Sequence, residues 1–159
     1  MDNEAQTIDK LQQRITELEA QLKAHNDNER LLVLLRHTLQ VIIDYMPHAI
    51  YWKDRQLIYR GCNKRFLNDL GLQSPQDVIG KTDYDMPWQP GEAGLFRAID
   101  LRVMASKTAE LDTDEIAVFP DGSQEWFETW KAPLCDANGD VFGVLGIYLN
   151  ITEQHRRMT

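Results

Sequence analysis

One segment near the C-terminus, Val141 to Leu149 (VFGVLGIYL), constrains the fold more than any other. Side chains alternate across a strand, so Phe142, Val144, Gly146 and Tyr148 share one face. Val141, Leu145, Ile147 and Leu149 share the other. Neither face is polar, so this strand belongs inside a sheet that is covered on both sides. The preceding segment sets Phe127, Thr129 and Lys131 against Trp126, Glu128 and Trp130. A segment near residue 50 sets Ala49, Tyr51 and Lys53 against Ile50 and Trp52. One face must pack on the domain's own helices. The face with Trp52, Trp126 and Trp130 needs a second cover, because each wet tryptophan forfeits roughly 2 kcal/mol or more. The apolar stripe from Leu32 to Met46 is the spare surface expected to supply it.

The chain divides near Pro47. Before it, Ile8, Leu11, Ile15, Leu18 and Leu22 alternate in spacing between three and four residues. The residues between them are mostly polar and charged. So narrow a seam suits pairing with another helix better than covering a sheet, which predicts a coiled-coil homodimer through these five residues. A second, wider stripe follows at Leu32, Leu35, Leu39, Ile42 and Met46. The step from Leu22 to Leu32 is one heptad plus three. Either the helix continues through a local overwinding, or it breaks and Asn26 caps a new one with Glu29 reaching back. In both cases it ends before Pro47.

After Pro47 the pattern is two strands, several helices and three strands. HAIYWKD and QLIYRG read as a hairpin turning at Asp54-Arg55. NKRFLNDLG is a short helix ending at Gly71, and Ser74 with Pro75 starts another turn. EAGLFRAIDLRVMASKT is a longer helix with Leu95, Phe96, Ile99 and Val103 on one face. The last strands are DEIAVF, SQEWFETWKAPL and DVFGVLGIYL, joined by turns at Pro120–Ser123 and Asp136–Gly139. This order predicts an α+β domain built on one antiparallel sheet.

The chain has 159 residues, 43% hydrophobic and 26% charged, which suits one domain plus an extension. Its net charge of −8 argues against nucleic acid and anionic membrane as partners. No apolar run approaches the roughly 20 residues that span a bilayer. The N-terminus MDNEAQTIDK is too polar for a signal peptide. Cys62 and Cys135 form no CxxC and read as thiols of a reducing compartment. A cytoplasmic location is expected.

Taken in order, these segments resemble a PAS domain over about residues 40–153. AIYWKDRQLIYRGCN is similar to the family's first hairpin and NKRFLNDLGL to its short helix. IGKTDYDMPW is similar to the loop before the long helix. WFETWKAPLCDANGDVFGVLGIYLNITE resembles the last two strands and the exit, with Asn150-Ile151-Thr152 where the family has Asp-Ile-Thr. The resemblance implies a five-stranded antiparallel sheet with flanking helices, preceded by the long N-terminal coiled-coil helix. It divides the chain into a helix over 1–46, a sensor domain over 47–153 and the start of a C-terminal linker over 154–159. It implies a small-molecule pocket lined by Tyr51, Phe66, Phe96, Ile99, Val103, Phe127, Thr129, Lys131, Val144 and Tyr148. The signal exit is Asn150, Ile151, Thr152 and Glu153, leading to a histidine kinase, cyclase or similar effector outside this chain.

No cofactor is expected. The flavin branch of the family has a reactive cysteine where Lys64 stands, an asparagine at Phe127 and a glutamine at Tyr148. Haem needs an axial ligand, usually histidine from the long helix, and residues 92–108 contain none. His25, His37, His48 and His155 lack metal-ligand spacing and read as surface or packing side chains. Lys131 either meets an anionic ligand or runs its stem along the sheet to solvent. Asp83 and Asp85, two apart in a loop, suit capping better than acid–base catalysis. The leading reading is a sensory input and dimerisation module that is not an enzyme. The alternatives are a ligand-free interaction module and a small α+β enzyme.

Overall fold

The computed structural model describes residues 2–118 and 122–158. The elements run α1 (Asp2–Asp44), β1 (Ala49–Asp54), β2 (Tyr59–Cys62), α2 (Lys64–Asp69), α3 (Glu92–Ser106), β3 (Glu110–Val118), β4 (Gln124–Cys135), β5 (Val141–Asn150) and α4 (Thr152–Met158). Two 3-10 turns, Pro75–Asp77 and Asp83–Asp85, lie between α2 and α3. The chain forms two compact units, Met1–Ile42 and Ile43–Thr159.

The described residues of the first unit are all helical. α1 runs unbroken through residues 23–31, so Asn26 does not cap a second helix. It stops at Asp44, ahead of Pro47, as the sterics of the residue before proline require. Ile8, Leu11, Ile15, Leu18 and Leu22 are between 47% and 60% exposed. The later stripe, including Leu32, Leu35, Leu39 and Ile42, is exposed as well.

The second unit is built on a five-stranded antiparallel sheet in the order β2-β1-β5-β4-β3. The doubly apolar β5 is central, as its pattern demands. Register sets Ala49, Tyr51 and Lys53 of β1 beside Tyr148, Gly146 and Val144 of β5. From the other side, Thr129, Lys131 and Pro133 of β4 flank the same three positions. α2 and α3 pack on this inner face. The core gathers Tyr51, Tyr59, Phe66, Leu67, Val78 and Met86 in one cluster, and Leu57, Val103 and Val144 in another.

Two side chains on the inner face of the long helix and last strand lie elsewhere than expected. Leu95 is 57% exposed, because α3 turns Asp100 and Val103 to the sheet and carries Leu95 away. Phe142 is 53% exposed, because the β1–β5 ladder ends at Asp54–Gly143 and leaves it without a neighbour on β1. The first hairpin turn is also longer than two residues. Asp54 Oδ1 accepts the N–H groups of Gln56 and Ile58, which holds Leu57 buried at a φ of 60°. β3 begins at Glu110 rather than Asp114, with a register shift between Asp112 and Glu115 that hides the alternation. The expected strand end at Phe119, and Pro120 and Asp121 of the next turn, lie outside the described residues.

Gly146 is required by its neighbour. A Cβ there would lie 2.1 Å from Cζ of the Tyr51 ring. Gly146→Ala is therefore expected to destabilise the domain by about 1–3 kcal/mol in urea unfolding. In a Tyr51→Ala background most of that cost disappears, and a cost that persists there refutes the contact.

Candidate functional site

Four buried charges lie between the sheet and its helices. Lys53 projects from the inner face of β1, and its side chain is 0% exposed. Asp83 opens the 3-10 turn at 83–85, Asp100 sits in the middle of α3, and Lys131 lies on β4. Lys53 Nζ donates to both oxygens of Asp83 at 2.7 Å and to Asp100 at 2.6 Å. Lys131 Nζ donates to the other Asp100 oxygen. The Tyr59 hydroxyl donates to Asp83 at 2.9 Å. Two cations thus meet two carboxylates, and each carboxylate has at least two donors. The Lys53 ammonium also lies 4.7 Å from the Tyr59 ring centre, where the π face favours it. Such charges are tolerated in an interior only because they are paired and hydrogen-bonded.

Aromatic rings fill the space beside the charges. Phe66 on α2 lies 5.0 Å from Tyr51, 5.9 Å from Tyr59, 6.3 Å from Tyr148 and 6.4 Å from Trp88, centre to centre. Trp88 continues to Phe96 at 5.3 Å, and Tyr148 to Phe127 at 5.8 Å. The Lys131 ammonium is 5.6 Å from the Phe96 ring. Burial pushes the phenols of Tyr51, Tyr59 and Tyr148 above their ordinary range, and for Tyr148 the nearby Asp69 charge adds to it. All three remain protonated donors at neutral pH. The Trp88 Nε1–H is buried and has no acceptor among the described residues. An orphaned donor of this kind costs about 1–3 kcal/mol.

The residues expected to line a pocket therefore separate into two groups. Tyr51, Phe66, Phe96, Phe127, Lys131 and Tyr148 meet through rings and charge. Thr129 stands beside Tyr148 in the ladder. Ile99, Val103 and Val144 belong to the second core cluster with Leu57. Lys131 follows neither course expected of it, because Asp100 of the chain itself supplies its anion. Asp83 and Asp85 point apart. Asp83 is buried, whereas Asp85 accepts from the N–H and hydroxyl of Thr82 as a cap.

Lys53, Asp83, Asp100 and Trp88 were not anticipated as a group. Lys53 and Lys131 both fall on inner-face positions of their strands. A lysine at such a position demands a buried carboxylate, and that signal is legible in the alternation. Asn63 was missed too. Fully buried, it caps α2 through Phe66 N–H, accepts from Ile50 N–H, and donates to the carbonyls of Ile43 and His48 at 2.8 Å each. It ties the entrance of the domain to β1.

The exit is tied in the same manner. Ile151 N–H donates to the Trp126 carbonyl at 2.8 Å, and Trp126 N–H donates to Thr152 Oγ1 at 2.9 Å. Asn150 Oδ1 accepts Thr152 N–H at 3.0 Å, and Asn150 Nδ2 donates to Glu125. His155 on α4 stacks on the Trp126 ring at 3.8 Å. Glu153 is exposed and pairs with Arg156. His48 meets Trp130 edge-on at 5.7 Å, so two of the four histidines pack on outer-face tryptophans.

Removing one buried cation leaves a carboxylate uncompensated, at a cost of about 3–5 kcal/mol. Lys53→Met is expected to cost more than Lys131→Met, because Lys53 serves both aspartates. Urea denaturation of the two variants checks the order, and the reverse order contradicts the arrangement. A second check concerns thiols. Burial, with Asp44 adding to it, pushes the Cys62 thiol up to about 11, whereas Cys135 is exposed. At pH 8 a thiol reagent should label one cysteine rapidly in the folded protein and two in denaturant.

A family model described as the PAS fold matches residues 43–156. The chain is 26% identical over 142 residues to the virulence sensor protein BvgS of Bordetella bronchiseptica, covering 88% of this chain and 11% of that one. It is 25% identical over 118 residues to the aerobic respiration control sensor protein ArcB of Escherichia coli, covering 74% and 15%. It thus spans only about a tenth to a seventh of these relatives. Among solved structures, the PAS domain of Bordetella pertussis BvgS superposes with a TM-score of 0.64 at 25% identity, covering 78% of this chain and 93% of that one. VqmA of Vibrio cholera, in a complex with ligand and DNA, gives 0.62 at 25% identity, covering 70% and 50%. With the sheet, α2, α3 and the exit all in the matched region, the chain belongs to the PAS fold family and carries a long N-terminal helix ahead of the domain.

Proposed function

We propose that this chain is the sensory input and dimerisation module of a signal-transduction protein. It binds a small molecule on the inner face of the sheet and passes the change through its C-terminal exit to an effector such as a histidine kinase. The observation that carries this reading is the position of Tyr148. Its ring belongs to the aromatic cluster around Phe66, and two residues later the same strand reaches Asn150, which caps Thr152. A ligand that moves Tyr148 acts on the exit without a relay. The similarity to sensor kinases such as BvgS and ArcB supports the same reading.

The Trp88 Nε1–H is the donor such a ligand would meet, with Phe66 and Phe96 on either side. The ligand therefore presents a hydrogen-bond acceptor and a flat apolar body. Flavin does not suit this reading, because Phe127 and Tyr148 pack ring against ring where the flavin branch has its amide side chains, and haem does not, because residues 92–108 offer no histidine. The module performs no chemistry of its own. A second reading, a ligand-free interaction module, is favoured by one observation. Asp100 already occupies Lys131, so the inner face is charge-complete without a guest.

Pairing of two copies through Ile8, Leu11, Ile15, Leu18 and Leu22 completes the proposal. These side chains are exposed in the single chain, and two exits must reach one dimeric effector together.

Fusion to a dimeric kinase reporter tests the output. Thr152→Ala breaks the bond to Trp126 N–H and is expected to change basal kinase activity severalfold, within the 1–3 kcal/mol typical of coupling between sites. Tyr148→Phe is expected to change it less. Activity that ignores both changes in a folded protein means that the exit is a passive linker. Purified protein should be colourless. Native mass spectrometry should show a dimer with added mass from a co-purified small molecule, whereas a dimer of bare chain mass favours the ligand-free reading.

A further inference from the structure

Glu115 is an inward-facing carboxylate that stands outside the four-charge cluster. Side chains alternate along a strand, so Glu110 and Asp112 of β3 share the inner face with their ladder neighbours Lys131 and Thr129 of β4. Strict alternation would turn Glu115 outward. The register shift between Asp112 and Glu115 matches a step of three residues on β3 to a step of two on β4, and it brings Glu115 beside Phe127 on the inner face. Bulges of this kind re-aim a side chain. Glu115 is half-buried, and among the described residues its carboxylate has no hydrogen-bond or ion-pair partner. By contrast Arg102 holds Glu110, and the buried aspartates have their lysines. The Glu115 charge is felt in the interior. Burial does most to raise the Tyr51 phenol, and Glu115 is among the carboxylates that add to it.

We propose that the small molecule held on the inner face is an aromatic amine, with its ammonium at Glu115, its ring among Phe66, Phe127 and Tyr148, and an acceptor atom at the Trp88 indole N–H. The inference rests on the ligand-binding reading above and names the chemical class of the ligand. A chain of rings joins the two polar ends. Phe127 lies 5.8 Å from Tyr148, Tyr148 6.3 Å from Phe66, and Phe66 6.4 Å from Trp88, centre to centre. The Trp88 Nε1–H is buried without an acceptor among the described residues, and Glu115 is half-buried without a donor. One guest with an acceptor and an ammonium satisfies both. The π faces of Phe127 and Tyr148 favour a cation at the Glu115 end. The same face disfavours an acid. Lys131 is already bonded by Asp100, and it lies four residues along β4 from Phe127, roughly 13 Å in an extended strand. Glu110, Asp112 and Glu115 line the β3 side, so an entering anion meets like charges. A neutral guest would cover Glu115 and leave its charge uncompensated, which costs more out of water than in it.

Isothermal titration of the full chain with tyramine tests this. The acid of the same ring, para-hydroxyphenylpropionate, and the amine without the hydroxyl, phenethylamine, are the companion probes. Tyramine should bind about tenfold more tightly than the acid, the worth of one charge-assisted hydrogen bond. Glu115→Gln keeps the shape of the side chain and removes its charge. It should weaken tyramine by about tenfold and leave the acid unchanged. Trp88→Phe should abolish the advantage of tyramine over phenethylamine while the preference for amine over acid persists. Circular dichroism checks that each variant is folded, and the two variants probe opposite ends, so either alone can refute the inference. Tighter binding of the acid overturns it, as does tyramine binding that ignores Glu115→Gln. Failure of all three probes to bind overturns it too. If native mass spectrometry then shows a different co-purified small molecule, the ligand-binding reading stands without the amine. A bare chain removes that reading as well.

Discussion

The second unit depends on one ammonium group. Lys53 rises from the first strand into the buried interior and bonds Asp83 and Asp100 at once. Asp83 belongs to a loop turn, Asp100 to the long helix and Lys131 to the fourth strand. Four elements far apart in sequence therefore meet at one point, and none can move without leaving a charge unpaired. Apolar packing alone would allow α3 to slide along the sheet by a turn at modest cost. The aspartate in its middle does not allow it, because directional bonds to two lysines fix its rotation and height together.

The same logic governs the two ends of the domain. Asn63 gathers α2, β1 and the end of α1 with one side chain whose donors and acceptor are all engaged. Thr152 and Asn150 gather β4, β5 and α4 at the exit. Both ties are short polar side chains satisfied by backbone groups. They define the direction of the chain as it enters and leaves.

Much was legible beforehand for plain reasons. The doubly apolar pattern from Val141 to Leu149 could belong only to a central strand, and it does. The Ser74-Pro75 start, the Asp136–Gly139 turn and the end of α1 before Pro47 follow from backbone sterics and capping, which act within a few residues. The candidate site was half legible. Alternation puts the aromatic members on the right face, but it does not show that Asp100 meets Lys131 or that Lys53, beside Tyr51, is buried against two aspartates. Helical periodicity places Leu95 on the core face because it ranks leucine above aspartate, whereas Asp100 is the buried one.

The division has a physical cause. Sequence alone determined what depends on local geometry and on period: which segments are strands, where helices start and stop, and that one helix carries a narrow apolar seam. Only the tertiary structure decided which charge meets which. A buried lysine requires a carboxylate somewhere, but the chain holds 25 acidic residues, and nothing local distinguishes Asp83 from Asp85. The distinction arises when the loop between the short and long helices closes over β1 and turns one aspartate inward and its neighbour out. The same closure leaves Trp88 Nε1 without an acceptor, because what an indole N–H meets depends on side chains brought together by folding.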